Sequence, residues 1–137
     1  MKKSTFRYIE AEIYDYPETL KEIGNLREEI MEGGQQEEQQ VRVQTNRMSD
    51  PTVNRATRLL MDRRLRRLEE VTFAIQKVCD ALPKDKHRLM EMKYWEKRYT
   101  NTGISETLHI SEMTFYRWRR QIVTAIANEL GLLNMKE

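Results

Sequence analysis

The sequence predicts an all-α protein, and three observations carry that reading. The 137 residues include only 5 Gly and 3 Pro, too few for the closely spaced turns of an all-β fold. Apolar residues recur at every third or fourth position over long stretches, which is the helical period. Where the period lapses, residues suited to helix ends stand at the boundary. Within that class the expected organisation is an N-terminal helical hairpin (1–34), a polar linker (35–49), and a long helix followed by a C-terminal helix-turn-helix (50–137).

The first helix is expected over Thr5–Tyr16, capped by Ser4, with Phe6, Ile9 and Ile13 on one side. Asp15-Tyr16-Pro17 should break it, because proline disfavours helix at the preceding residue and suits the first turn of a new one. The second helix, Glu18–Met31, places Leu20, Ile23, Leu26 and Ile30 on one stripe, and Gly33-Gly34 should end it. Gln35–Ser49 is polar, Gln-rich and without apolar period, hence a linker.

Asp50-Pro51 has the form of an N-cap followed by proline at the first helical position. A long helix is expected from Pro51 to Ala81. Met61, Leu65, Leu68, Thr72, Ile75, Cys79 and Leu82 lie on its stripe, widened by Val71 and Val78. Its length admits either coiled-coil pairing or packing within the chain. Arg63, Arg64, Arg66 and Arg67 cluster on it, and phosphate contact or a solvated face would both account for them.

The last fifty-five residues carry the most information. After Leu82-Pro83, a helix with Asp85 in its first turn and Leu89, Met92, Tyr94 and Trp95 as apolar material should run to about Lys97. Thr100–Leu108 forms a short helix, and His109-Ile110-Ser111 a tight turn. A final helix follows from Glu112 to Leu130, with Ser111 as N-cap and Gly131 as the glycine just beyond its end. This is helix-turn-helix order. Ser105 is small where the second helix must come close. His109 occupies a turn position that favours glycine, where a positive φ costs about 1 kcal/mol. On the last helix Phe115, Trp118, Ile122, Ile126 and Leu130 should face the core.

The other face of that helix, toward its N-terminal end, is where a recognition helix meets the major groove. Candidate DNA-binding residues are therefore Ser111, Glu112, Met113, Thr114, Tyr116, Arg117, Arg119 and Arg120. Arg117 or Arg120 can donate two hydrogen bonds to guanine O6 and N7. Tyr116 can pack on a thymine methyl or bond a phosphate, and Arg119 reaches the backbone. Glu112 either accepts from a cytosine amino group or serves the helix dipole. Lys84, Lys86, Lys93, Lys97 and Arg98 supply further phosphate contact.

Charge agrees with an anionic partner. Residues 1–40 hold 5 Lys/Arg against 10 Asp/Glu, and residues 41–137 hold 19 against 12, so the acidic start masks a basic remainder. A solvated mixed-charge surface would give the same count. No apolar run approaches the roughly 20 residues that span a bilayer, and the N-terminus has no apolar segment of signal-peptide type. Catalysis finds little material. His87 and His109 are the only histidines, Cys79 sits on an apolar stripe, and no HExxH, phosphate-binding glycine loop or GxSxG is present. A single cysteine excludes an intrachain disulfide and a Cys-based zinc finger. No enzyme, no metal and no cofactor is expected.

DYPETLKEIGNLREEIM (15–31), the polar linker, and the ending from MKYWEKRYT to ANELGL resemble the RinA/ArpU family of small phage and prophage transcriptional regulators. The LPKDKHRLMEMKYW and ISETLHIS segments are also similar to the promoter-reading region 4 of sigma factors. The resemblance implies an activator of phage late genes for packaging, morphogenesis and lysis. It implies binding to double-stranded DNA and to host RNA polymerase, in the cytoplasm of a Gram-positive bacterial host. A homo-oligomer is compatible with reading paired half-sites. The rival readings are a small-terminase-like DNA-packaging adaptor and a purely structural helical interaction module.

Overall fold

A computed structural model describes the backbone of residues 1–42 and 51–134, and side chains over 1–33 and 52–133. The described residues form helices and the short connections between them, with no strand among them. Their elements are α1 (Lys3–Arg42), α2 (Pro51–Ala81), α3 (Lys84–Met90) continuing into a π-helical turn (Glu91–Glu96), α4 (Asn101–Leu108), α5 (Glu112–Glu129) and a short 3-10 turn (Leu132–Asn134). The all-α expectation holds, and α2 has the bounds read from the sequence. Asp50, expected to cap it, lies outside the described residues. Two compact units form: Met1–Pro17 with Val71–Glu137, and Glu18–Glu70. This division does not coincide with the expected 1–34, 35–49 and 50–137, because α1 and α2 each contribute to both units.

The expected N-terminal hairpin is instead one 40-residue helix with Pro17 inside it. Proline at 17 has no N–H to give the carbonyl four residues earlier, a loss that ordinarily kinks or breaks a helix. That carbonyl belongs to Ile13, which is fully buried. The indole Nε1 of Trp95 donates to it at 2.9 Å, and the Trp95 ring lies 5.4 Å from that of Tyr16. The acceptor that Pro17 strands is thus satisfied from outside the helix, and α1 continues.

After Pro17 the buried line runs through Thr19, Ile23 and Leu26, whereas Leu20, expected in the core, is 46% exposed. Nor do Gly33 and Gly34 stop α1. Each glycine costs about 1 kcal/mol in a helix interior, and the Gln- and Glu-rich residues after them are good helix formers. Residues 35–42, read as linker, are accordingly helical; the rest of the expected linker, 43–49, falls outside the described residues. At the other end α1 starts at Lys3, so Ser4 lies within it rather than capping it.

The first unit has a continuous core. Ile9 and Ile13 of α1 pack with Val71, Ala74, Ile75, Val78 and Cys79 of α2, Leu89 and Met90 of α3, and Phe115, Ile122, Val123 and Ile126 of α5. Val123 and Ala127 join the expected α5 face, while Trp118 is only half-buried at its edge. The Glu10 carboxylate accepts from Arg119 Nε at 2.8 Å and Nη2 at 2.6 Å, and from the Tyr94 hydroxyl at 2.7 Å. The two charged side chains are 23% (Arg119) and 13% (Glu10) exposed. The Arg119 guanidinium also lies 5.0 Å from the Phe6 ring. Desolvation pushes the Glu10 pKa up, but hydrogen bonds from Arg119 and Tyr94 outweigh it and hold the group below the usual carboxylate range. Burial, and then the Glu10 charge, push the Tyr94 hydroxyl up.

The second unit pairs the later part of α1 with the early part of α2. Met61, Leu65 and Leu68 are half-buried there. Glu22 pairs with Arg64, and Arg27 with Glu69 at 3.3 Å. Arg67 pairs with Glu70 at 3.8 Å.

Two outcomes follow for the first unit. Trp95→Phe leaves the Ile13 carbonyl unanswered and should cost roughly 1–3 kcal/mol. In a Pro17→Ala background the restored amide serves that carbonyl, so the cost of Trp95→Phe should shrink. Urea denaturation of the four proteins reads the coupling; equal costs in both backgrounds would dissociate Trp95 from the proline.

The second outcome concerns pH. Since the native Glu10 pKa lies below its unfolded value, the unfolded chain binds more protons as pH falls through the carboxylate range. The stability from this pair is complete above that range and is lost as pH drops through the lowered native value. Glu10→Gln should flatten the acid limb of the stability curve and cost roughly 1.5–3 kcal/mol at neutral pH. An acid limb identical to that of the parent chain would remove the pair from the acid response.

Candidate nucleic-acid interface

The α4–turn–α5 segment is shaped by local chemistry at each end. Thr100 caps α4, its Oγ1 accepting from Gly103 N at 2.9 Å. At the far end His109 takes the left-handed conformation, φ +57°, as expected for this glycine-favouring place. Its amide donates to the Glu106 carbonyl at 3.2 Å, and the Ile110 amide to the Ser105 carbonyl at 3.0 Å. This pair of bonds is the Schellman closure of a helix. Ser111 then caps α5, its Oγ accepting from Thr114 N at 3.1 Å. Ser105 is 3% exposed, and its hydroxyl donates to the Asn101 carbonyl at 3.0 Å, so a small, internally satisfied side chain stands where α5 approaches. Gly131, φ +72°, follows the end of α5 as expected.

Phe115, Ile122, Val123 and Ile126 hold one side of α5 in the core, which fixes what the opposite side presents. Met113, Arg117 and Arg120 follow one another at i, i+4 and i+7 on that outer side. Met113 is 84% exposed, and Tyr116, at the edge of the stripe, 49%. Arg117 and Arg120 are exposed and form no ion pair among the described residues. Two guanidiniums and two large side chains therefore share one solvent-facing patch. Fork-shaped donors of this kind suit planar or phosphate acceptors.

The remaining sequence candidates have other occupations. Arg119, next to Arg120 and two positions from Arg117 in sequence, points inward and bonds Glu10. A helix turns about 100° per residue, and position 119 falls on the core side. The Glu112 carboxylate accepts from Thr102 Oγ1 at 3.0 Å and ties the start of α5 to α4. Ser111 and Thr114 share the cap, their hydroxyls 2.9 Å apart.

Of the supporting basic residues, Lys86 donates to Gln121 at 2.9 Å and stands 5.7 Å from the Trp118 ring. Gln121 lies one turn beyond Arg117, so Lys86 borders the same patch. The sequence reading passed over Gln121, although its i+4 spacing from Arg117 was visible. Lys93 is enclosed by the Tyr14, Tyr94 and Phe115 rings and bonds Asn101. Lys97 ends the π turn in the left-handed conformation, φ +59°, with its ammonium 5.9 Å from the Tyr14 ring. Arg98 is 71% exposed and 3.8 Å from Glu96, and Lys84 is exposed.

Groups suited to catalysis are dispersed. His87 Nδ1 is 3.0 Å from Glu91, one turn away on the same helical stretch. Burial raises the Cys79 pKa, with smaller contributions from the Asp80 and Glu91 charges, so it stays a thiol. Among the described residues no group of three or more His, Cys, Asp or Glu is placed to hold a metal ion, and no helix is long and apolar enough to cross a membrane.

Comparison with known proteins agrees with the resemblance read from the sequence. The chain is 28% identical over 140 residues to the protein named transcriptional activator rinA of Staphylococcus phage phi11, covering 96% of this chain and 94% of that protein. No solved structure matches it. A family model described as "Protein of unknown function (DUF722)" matches residues 7–128. Because that match spans most of the chain, the protein belongs to the DUF722 family.

Proposed function

We propose that this protein is a phage transcriptional activator that reads DNA through α5. In this reading α4, the His109-Ile110-Ser111 turn and α5 are a helix-turn-helix, and α5 is the recognition helix in the major groove. The carrying observation is the outward patch of Met113, Tyr116, Arg117 and Arg120, whose two guanidiniums form no ion pair among the described residues. The similarity to a protein named as a transcriptional activator supports the same reading. Arg117 and Arg120 read guanine edges, and Met113 and Tyr116 supply apolar contact to thymine methyl groups. Lys84, Lys86 and Arg98 contact phosphates and set register. The target is a late promoter region for packaging, morphogenesis and lysis genes. Recognition resembles that of sigma region 4, with host RNA polymerase recruited in the bacterial cytoplasm.

Selection from a random double-stranded DNA library at about 150 mM salt tests the reading, because purely electrostatic retention weakens steeply with salt. A single motif should be recovered. Arg117→Ala and Arg120→Ala should each cost roughly 1–3 kcal/mol of specific binding and relax preference at one base. Arg119→Ala should lower folding stability and leave base preference unchanged in the protein that remains folded. Failure to recover any motif, alone or with polymerase present, would refute sequence reading by α5.

A further inference from the structure

The unit Glu18–Glu70 is poorly supplied with core. Among its described residues Thr19, Ile23 and Leu26 are buried, whereas Leu20, Met31, Val53, Leu59 and Leu60 are 46–67% exposed. Leu20 and Met31 lie on one line of α1 with Gly24 and Arg27 between them at helical spacing. A Cβ added at Gly24 would meet nothing within 4 Å, so the line is open between Leu20 and Arg27. On α2, Val53 and Leu60 are one heptad apart on one flank, and Leu59 lies about 100° further round the helix. Two helical stretches of this size bury too little apolar surface to be stable unaided, and clustered exposed apolar side chains mark an interaction surface.

The charges of this unit indicate what covers it. Residues 18–34 carry 2 Lys/Arg and 5 Asp/Glu, and residues 51–70 carry 6 and 3. Glu22–Arg64 and Arg27–Glu69 join the two stretches within the chain. Beyond these, Glu28, Glu29 and Glu32 on α1, and Arg55, Arg63 and Arg66 on α2, are all exposed and form no ion pair among the described residues. Three unmatched carboxylates and three unmatched guanidiniums therefore stand on different helices of one unit.

We propose that this face docks a second copy of the chain. The acidic α1 stretch of each copy lies on the basic α2 stretch of the other about a twofold axis. A twofold contact is self-complementary, so the same set of charges is matched twice. Leu20 and Met31 of α1 and Val53 and Leu60 of α2 are then enclosed in a four-helix core. The apolar contact supplies the adhesion. The charges select the orientation and the partner, since individual exposed pairs contribute little energy.

Sedimentation equilibrium of the full chain at about 150 mM salt should give twice the 16.5 kDa chain mass. Met31→Glu with Leu60→Glu should return the mass to that of one chain. Reversing the acidic set (Glu28→Arg, Glu29→Arg, Glu32→Arg) or the basic set (Arg55→Glu, Arg63→Glu, Arg66→Glu) should each give monomers. An equimolar mixture of those two variants should recover the doubled mass, because each then offers the charges the other needs. That recovery also excludes misfolding as the cause of dissociation. A monomeric parent chain at every concentration, a dimer indifferent to charge reversal, or a mixture that stays monomeric would each overturn the proposal. Loss of DNA retention by the basic-set variant with its mass unchanged would assign those arginines to phosphates and overturn it equally.

Discussion

The buried carbonyl of Ile13 is the point on which the first unit turns. Pro17 deprives it of its helical partner, and a buried unsatisfied acceptor is among the costlier defects a fold can hold. The Trp95 indole answers it and converts a helix-breaking residue into a fastening. An unmet acceptor there would favour ending α1 near Tyr16. The first turns of α1 also carry Glu10 to Arg119 and so tie α1 to α5.

The parts of the fold that were legible in the sequence are those decided within a few residues. Ser111 caps because its hydroxyl reaches an amide three positions on, and His109 and Gly131 close helices because of their own φ. The ends of α2 and of the α3 segment were set by Pro51 and by Leu82-Pro83 and Lys97. The misreadings have the opposite character. The partner that rescues Pro17 is 82 residues away in sequence, and the carboxylate that claims Arg119 is 109 residues away. No local rule announces either. The glycine pair at 33–34 misled differently, since a modest local cost was read as a stop although the residues that follow sustain a helix. The π turn at 91–96 had no signal in the apolar spacing, which fits either helical form over so short a stretch.

Arg117-Trp118-Arg119-Arg120 illustrates how a basic cluster is divided by helical geometry. Read as composition, its three arginines are equivalent. On α5 one is drawn inward to a carboxylate and a tyrosine hydroxyl, and two remain outside. The inward arginine cannot reach an anion without breaking its bonds to Glu10, so charge alone overstates the cationic surface of this segment. What survives is a narrower patch whose two guanidiniums lie three residues apart, a spacing suited to neighbouring acceptors along a groove rather than to diffuse attraction.

Helix α2 contains a related division along its length. From Val71 onward the buried positions come in adjacent pairs (Val71 with Thr72, Ala74 with Ile75, Val78 with Cys79), a broad stripe that suits enclosure by several helices. Before Glu70 the partly buried apolar positions thin to Met61, Leu65 and Leu68, a narrow seam of the kind that joins one helix to another. Arginines occupy the ground between. The composition changes where the two compact units meet in sequence. One continuous helix thus serves a closed core over its later turns. Over its earlier turns it serves a thin two-helix contact whose apolar flanks stay uncovered. A narrow seam with exposed leucines beside it is what an assembly interface requires, because a fuller stripe would have been consumed within the chain.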